Sequence, residues 1–139
     1  MNYLVESSAP SLEADAFIRG EDRRRVSLAE FRGSWVVLVL GATHDDLVDL
    51  ATQEQAFAAD GAVLLAAMQA QVDEVERTSL DVPGRFPILC GIDEPRRVAL
   101  VVDPDGSVRY AGRRETARQL LATLETVLFH EPVAQRRAA

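Results

Sequence analysis

The chain has 139 residues and a formal net charge of −7. This length is typical of one domain, and a hydrophobic content of 47% can build a core without disulfide or metal support. The negative charge argues against nucleic acid or an anionic membrane as the main partner. All fifteen basic residues are arginines, so chemistry that needs a lysine amine is excluded.

The first residues have neither the basic region nor the long apolar run of a secretory signal. The longest apolar stretch, residues 35–42, is too short to cross a bilayer. We therefore expect a cytoplasmic protein with no membrane partner. Cys90 is the only cysteine and cannot form an internal disulfide, which fits a reducing compartment and fits a cysteine-poor secreted protein almost as well.

Turn signals and hydrophobic patterns predict the elements of the first half of the chain. The arginines at 23–25 lie among charged residues and are predicted to form the exposed tip of an N-terminal hairpin. Residues 27–30 have the form of a capping box and predict a single helical turn. Nearly unbroken apolar runs predict strands at 36–40 and 62–67. Between these strands, residues 45–59 place most of their apolar side chains on one face, which predicts a helix.

The second half continues the alternation of helices and strands. A short helix is predicted at 72–80, before a Pro-Gly pair, and strands are predicted at 86–90 and 98–102. The sequence Asp-Pro-Asp-Gly then signals a tight turn, and the alternating residues 107–111 read as the return strand of a hairpin. Residues 115–129 follow the helical spacing of apolar positions closely and predict the last helix.

This order of elements predicts an α/β thioredoxin-like fold, with a central mixed β-sheet flanked by helices. Strand–helix–strand units close with parallel strands, whereas the hairpins add antiparallel ones. We expect one domain over residues 1–130. Residues 131–139 lose apolar periodicity after a proline and are predicted to form a disordered C-terminal tail.

Three stretches carry a family resemblance. The first joins residues 9–13, APSLE, with residues 26–38, VSLAEFRGSWVVL; the others are residues 61–65, GAVLL, and 97–106, RVALVVDPDG. In this order they resemble the peroxiredoxins, the alkyl hydroperoxide reductase/thiol-specific antioxidant branch of the thioredoxin superfamily. The resemblance covers residues 9 to about 112 and implies the thioredoxin-like fold.

The sequence departs from this family at the position of the active-site motif. Peroxiredoxins follow the first strand with P-x-x-x-T-x-x-C, whose cysteine attacks peroxide from a helix N-terminus that favours a thiolate. An ungapped count puts the proline, threonine and cysteine positions at Ala42, Asp46 and Asp49. The thioredoxin motif W-A-x-W-C-x-x-C instead puts its cysteines at Asp45 and Val48. Neither register contains a thiol, so the resemblance implies a degenerate, cysteine-less active site.

A polar cluster follows the first central strand and is the candidate binding site. Thr43 and Asp46 are spaced like a capping box, and acidic residues in a first helical turn suit the helix dipole. A polar ligand site is the alternative, because α/β proteins bind ligands where strands give way to helices. A metal site is disfavoured, since the positive end of a helix repels cations. The candidate binding residues are Thr43, His44, Asp45, Asp46, Asp49 and Arg97.

Arg97 is similar to the peroxiredoxin arginine that reaches the catalytic thiolate and bound peroxide, and it stands six residues before Asp103. It can pair with a carboxylate of Asp45, Asp46 or Asp49, or bind a small anionic ligand with two parallel hydrogen bonds. A surface arginine at a strand end is the remaining interpretation.

Two function classes remain open. The first is a non-catalytic binding or assembly module, with no cofactor, whose partner is a second copy as in peroxiredoxin homodimers, another protein, or a small anionic ligand. The alternative is a redox enzyme, an antioxidant peroxide or disulfide reductase, that acts through Cys90. A reactive cysteine must be exposed beside a positive group, whereas a buried single cysteine behaves as a small apolar residue.

Overall fold

The computed structural model describes residues 4–113 and 115–129. The strands of this part of the chain are β1 Glu13–Phe17, β2 Arg24–Ser27, β3 Trp35–Leu40, β4 Ala62–Ala67, β5 Ile88–Leu89, β6 Val98–Val102 and β7 Val108–Gly112. Its helices are α1 His44–Ala59, α2 Val72–Thr78 and α3 Ala117–Phe129, and a 3-10 turn spans Leu28–Phe31.

The strands form one mixed sheet in the order β2-β1-β5-β4-β3-β6-β7. Strand β3 pairs parallel with β4, and β4 pairs parallel with β5, whereas β1, β2, β6 and β7 join through antiparallel pairs. Residues 37–40 of β3 are fully buried, as their unbroken apolar run predicts for a strand covered on both faces. The predicted α/β, thioredoxin-like fold with a central mixed sheet is confirmed.

The two faces of the sheet carry separate apolar layers. All three α-helices of the described chain contribute to one layer, for example through Leu50 of α1, Val75 of α2 and Leu124 of α3. The other layer includes Leu28 of the 3-10 turn and Leu38 of β3. Side chains alternate between the faces along a strand, so β3 supplies both layers.

The N-terminal hairpin is present, and Arg23 lies in its connection as predicted, but the prediction that Arg24 and Arg25 also form the tip is wrong. Arg24 and Arg25 lie within β2, and the connection to β1 is made by residues 18–23. Arg25 stands opposite Asp15 of β1, with an Nη1–Oδ1 distance of 3.4 Å. Opposite charges paired across two strands stabilise a sheet, which accounts for arginines in a strand rather than in its turn.

The predicted single helical turn is present as the 3-10 turn. The Ser27 hydroxyl accepts a hydrogen bond from the Ala29 N–H at 3.2 Å. The Glu30 carboxylate pairs with Arg24 at 3.0 Å.

Two elements are shorter than predicted. The strand expected at 86–90 is reduced to β5, because Pro87 has no N–H to give to a neighbouring strand. The helix expected at 72–80 ends at Thr78, and Leu80 beyond it is 67% exposed, so it does not extend the buried face. The tail predicted at 131–139 lies outside the described residues.

Gly41 lets the chain turn from β3 towards α1. Its φ of 61° lies in the left-handed region, and a Cβ at this position would stand 2.2 Å from the carbonyl oxygen of Arg96. A side chain here would therefore push apart the backbones that end β3 and precede β6. Gly61 has a similar φ of 79° but no neighbouring atom within 4 Å of such a Cβ.

These two glycines form a matched pair for substitution. Gly61→Ala is expected to lower the free energy of unfolding by about 1 kcal/mol, from the left-handed conformation alone. Gly41→Ala should cost at least about 2 kcal/mol more, because it adds a collision with backbone. Urea denaturation of both variants measures the difference, and equal losses would contradict the close approach at Gly41.

Candidate active site

The candidate site lies where the chain leaves β3 and enters β6. The antiparallel register of these strands pairs Leu40 with Val98. Arg97, which directly precedes β6, is therefore held beside the segment that starts α1. The sequence motifs at 41–49 and 97 meet for this reason, although about fifty residues separate them.

The first turn of α1 is closed by a reciprocal capping box. The Asp46 N–H donates to the Thr43 hydroxyl at 3.2 Å, and the Thr43 N–H donates to the Asp46 Oδ2 at 2.9 Å. The predicted capping role of Thr43 and Asp46 is confirmed. One oxygen of Asp46 is thus committed to the helix start, which leaves Oδ1 for a second contact.

Arg97 makes that second contact and also binds the loop before α3. Its Nε donates to the Asp46 Oδ1 at 3.0 Å, and its Nη2 and Nη1 donate to the carbonyls of Glu115 at 2.7 Å and Arg113 at 3.1 Å. The side chains of Arg97 and Asp46 are only 20% and 19% exposed. Arg97 is therefore not a loose surface arginine, since each guanidinium nitrogen donates to a protein acceptor.

Asp49 belongs to α1 but caps a different helix, α3. Its Oδ2 accepts the N–H of Ala117, the first residue of α3, at 2.8 Å. This bond satisfies one of the backbone donors that a helix start leaves without a partner. Asp49 therefore ties α3 to α1 across a long sequence separation.

His44 bonds a different part of the chain, and Asp45 is exposed. The His44 Nε2 lies 2.9 Å from the Asp81 Oδ1, and this hydrogen bond raises the pKa of His44. Asp45 is exposed in the first turn of α1. Of the six candidate binding residues, the structure thus gathers Thr43, Asp46, Asp49 and Arg97 together.

Two further residues complete the site, and the sequence pattern did not single them out. The Tyr110 hydroxyl of β7 donates to the Glu115 Oε1, and the Glu115 Oε2 lies 4.0 Å from the Arg97 Nη1. Burial and the hydrogen bond to Glu115 raise the pKa of Tyr110 to about 12. Neither Tyr110 nor Glu115 belongs to a sequence motif. It is the fold of the β7–α3 loop that brings them to Arg97.

A cavity of about 480 Å³ opens beside this network. Its walls carry three carboxylates and three arginines, so their charges balance, and Arg96 is itself paired with Glu94 at 3.0 Å. Over residues 4–113 and 115–129, no group of three or more His, Cys, Asp or Glu side chains is arranged to hold a metal. The residues lining the cavity are Asp46, Asp49, Arg96, Arg97, Arg113, Glu115 and Thr116.

Cys90 lies outside the site. It follows β5, which is two strands from β3 in the sheet, and only 6% of the residue is exposed. Its Sγ donates to the Ile88 carbonyl at 3.3 Å. Burial raises the pKa of the Cys90 thiol to about 11, so the group is protonated at neutral pH.

No protein-family model matches the chain, and no curated protein matches it. Solved peroxiredoxin structures do match its fold. Mycobacterium tuberculosis AhpC has a TM-score of 0.78 at 15% identity, covering 97% of this chain and 99% of that one. Plasmodium vivax 2-Cys peroxiredoxin in its reduced form has a TM-score of 0.77 at 17% identity, covering 91% and 97%. Enterococcus faecalis AhpC has a TM-score of 0.75 at 17% identity, covering 95% and 99%.

These comparisons establish a peroxiredoxin-like version of the thioredoxin fold over nearly the whole chain. Identities this low show the fold and not the activity. Within the described residues, no helix is long and apolar enough to cross a membrane.

The capping of α3 by Asp49 can be tested by comparing the substitution of Asp49 with that of Asp45, which is also in α1. Asp49→Ala is expected to lower the free energy of unfolding by about 1–2 kcal/mol, because it leaves the Ala117 N–H without its acceptor. Asp45→Ala removes only a charge near the helix dipole and should cost about 0.5 kcal/mol. Urea denaturation compares the two, and a loss at Asp49 no greater than that at Asp45 would contradict the cap.

Proposed function

We propose that this chain is a peroxiredoxin-fold protein without thiol-peroxidase activity, and that it acts by binding or assembly. The observation that carries the proposal is the carboxylate of Asp46, which bonds Arg97 at the N-terminus of α1. A helix start beside an arginine is the setting that favours a thiolate. In this chain the negative group in that setting is a carboxylate.

The spacing of the site residues supports Asp46 as the replacement for the nucleophile. Thr43 and Asp46 are three residues apart, as are the threonine and cysteine of T-x-x-C. Arg97, the residue similar to the family's arginine, bonds Asp46 at 3.0 Å. The ungapped count favours Asp49 and the thioredoxin register favours Asp45. Neither of these two aspartates has the contact with Arg97 that Asp46 has.

The chemistry of the pair argues against peroxide reduction at this position. A thiol peroxidase forms a sulfur–oxygen bond and releases an alcohol or water, and a carboxylate has no sulfur to oxidise. The nitrogens of Arg97 donate to Asp46 and to two backbone carbonyls, so they are committed before any peroxide enters. The Asp46–Arg97 pair therefore has a structural role: it links the start of α1 to the β7–α3 loop.

Cys90 does not supply the missing nucleophile. A thiol whose pKa is raised to about 11 is protonated at pH 7, and only the thiolate attacks. Its 6% exposure also denies access to substrate. The chain has no second cysteine to resolve an oxidised form.

Assembly is the favoured role, with a second copy of the chain as partner. A small anionic ligand is less favoured, because the Arg97 donors are engaged and Asp46, Asp49 and Glu115 line the same cavity. The cytoplasm is the proposed location, since one unpaired cysteine fits a reducing compartment.

A peroxide-consumption assay with thioredoxin or glutathione as the reductant tests the absence of thiol chemistry. We expect the wild-type chain and Cys90→Ser to consume hydrogen peroxide at the rate of the buffer. Modification of Cys90 by a thiol reagent should be slow in the native protein and fast in urea. Turnover that disappears in Cys90→Ser would establish the redox alternative, and turnover that persists would place another catalytic group in the chain.

A further inference from the structure

The cavity beside the Arg97 network carries polar groups that the network leaves unused. Its volume of about 480 Å³ is within the ~300–1,000 Å³ typical of small-molecule sites. Six of its seven lining residues are charged, and the seventh is Thr116. A ligand that fits this cavity must therefore carry charge, because an apolar molecule would bury these groups without giving them partners.

One side of the cavity holds more negative charge than the adjacent arginine balances. Arg97 bonds Asp46 at 3.0 Å, and it lies 4.0 Å from the Glu115 Oε2. That oxygen is buried and accepts no hydrogen bond from the described residues. Asp49 forms no ion pair with them either, and only its Oδ2 is used, as the acceptor of the Ala117 N–H. The Oδ1 of the partly exposed Asp49 is therefore an accessible acceptor for a positively charged group.

The other side of the cavity offers an unused guanidinium. The Arg113 carbonyl accepts from Arg97, but the exposed Arg113 side chain has no acceptor within the part of the chain that the structure describes. The other two arginines are engaged, since Arg97 donates to Asp46 and to two carbonyls, and Arg96 pairs with Glu94 at 3.0 Å. Arg113 can therefore bind a carboxylate with two parallel hydrogen bonds.

The two unused groups select the charge pattern of a ligand. A purely anionic ligand would gain Arg113 but would face three carboxylates. A purely cationic ligand would gain Asp49 but would leave Arg113 without a partner and would face three arginines. A zwitterion satisfies both sides, because an ammonium group only donates hydrogen bonds and a carboxylate only accepts them.

We propose that this cavity binds a small zwitterion, an amino acid whose ammonium group bonds Asp49 and whose carboxylate bonds Arg113. This inference rests on the binding role in the proposed function and names the chemical class of the ligand. It involves no chemical step, and Cys90 takes no part in it.

Isothermal titration calorimetry of the full chain tests the proposal. The probes are glycine, 4-aminobutanoate and 6-aminohexanoate, which differ in the distance between their charges. We expect at least one of them to bind with a Kd below ~1 mM. Its N-acetyl derivative lacks the ammonium group and its primary amide lacks the carboxylate. Each derivative should bind at least ~10-fold more weakly, because each loses a charge-assisted hydrogen bond.

Three variants test the assigned residues. Arg113→Gln should weaken binding of the amino acid at least ~10-fold and leave the affinity for its primary amide unchanged. Asp49→Asn should weaken the amino acid to a similar degree, while its side-chain oxygen can still accept the Ala117 N–H. Arg118→Gln is the matched control, since Arg118 is an exposed arginine of α3 that does not line the cavity, and it should leave the Kd unchanged. Circular dichroism verifies that each variant is folded.

The proposal is overturned if all three amino acids bind with a Kd above ~1 mM, or if an N-acetyl derivative or a primary amide binds as tightly as its parent. Equal effects of Arg113→Gln and Arg118→Gln would overturn the assigned carboxylate contact. Peroxide turnover would contradict the proposed function without changing the binding isotherm, so the two failures are distinguishable.

Discussion

The ion pair between Arg97 and Asp46 is the interaction on which the candidate site depends. Arg97 makes three contacts with two other parts of the chain: one with the first turn of α1 through Asp46, and two with the β7–α3 loop through the carbonyls of Arg113 and Glu115. Asp49 adds a fourth connection by capping α3. At about 20% exposure the pair is partly shielded from water, so the attraction between its charges is screened less than in an exposed ion pair.

The same geometry can stabilise a carboxylate as well as a thiolate. A helix N-terminus and a nearby guanidinium stabilise any negative group between them, whether a thiolate or a carboxylate. Asp46 keeps the charge that balances Arg97, and it adds an oxygen that closes the capping box with Thr43. Under the proposed function, the position retains its role in stability after losing the sulfur that redox turnover needs.

Hydrophobic patterning predicted most of the fold, because strands such as 62–67 and 98–102 are buried on both faces and read as unbroken apolar runs. It failed where backbone pairing or cross-strand charge decides the structure, as at β5 and at Arg25. For the site, spacing predicted the Thr43–Asp46 cap. It left the partner of Arg97 open, because that choice depends on the β3–β6 register and on a loop that no periodicity describes.

A double-mutant cycle on Asp46 and Arg97 tests the central claim most directly. The free energy of unfolding is measured for the wild type, Asp46→Asn, Arg97→Gln and the double variant, and the exposed pair Arg24–Glu30 serves as the control cycle. We predict a coupling energy of at least about 1 kcal/mol for Asp46–Arg97 and at most about 0.5 kcal/mol for the control. A coupling at Asp46–Arg97 no larger than the control would contradict the structural role of the pair.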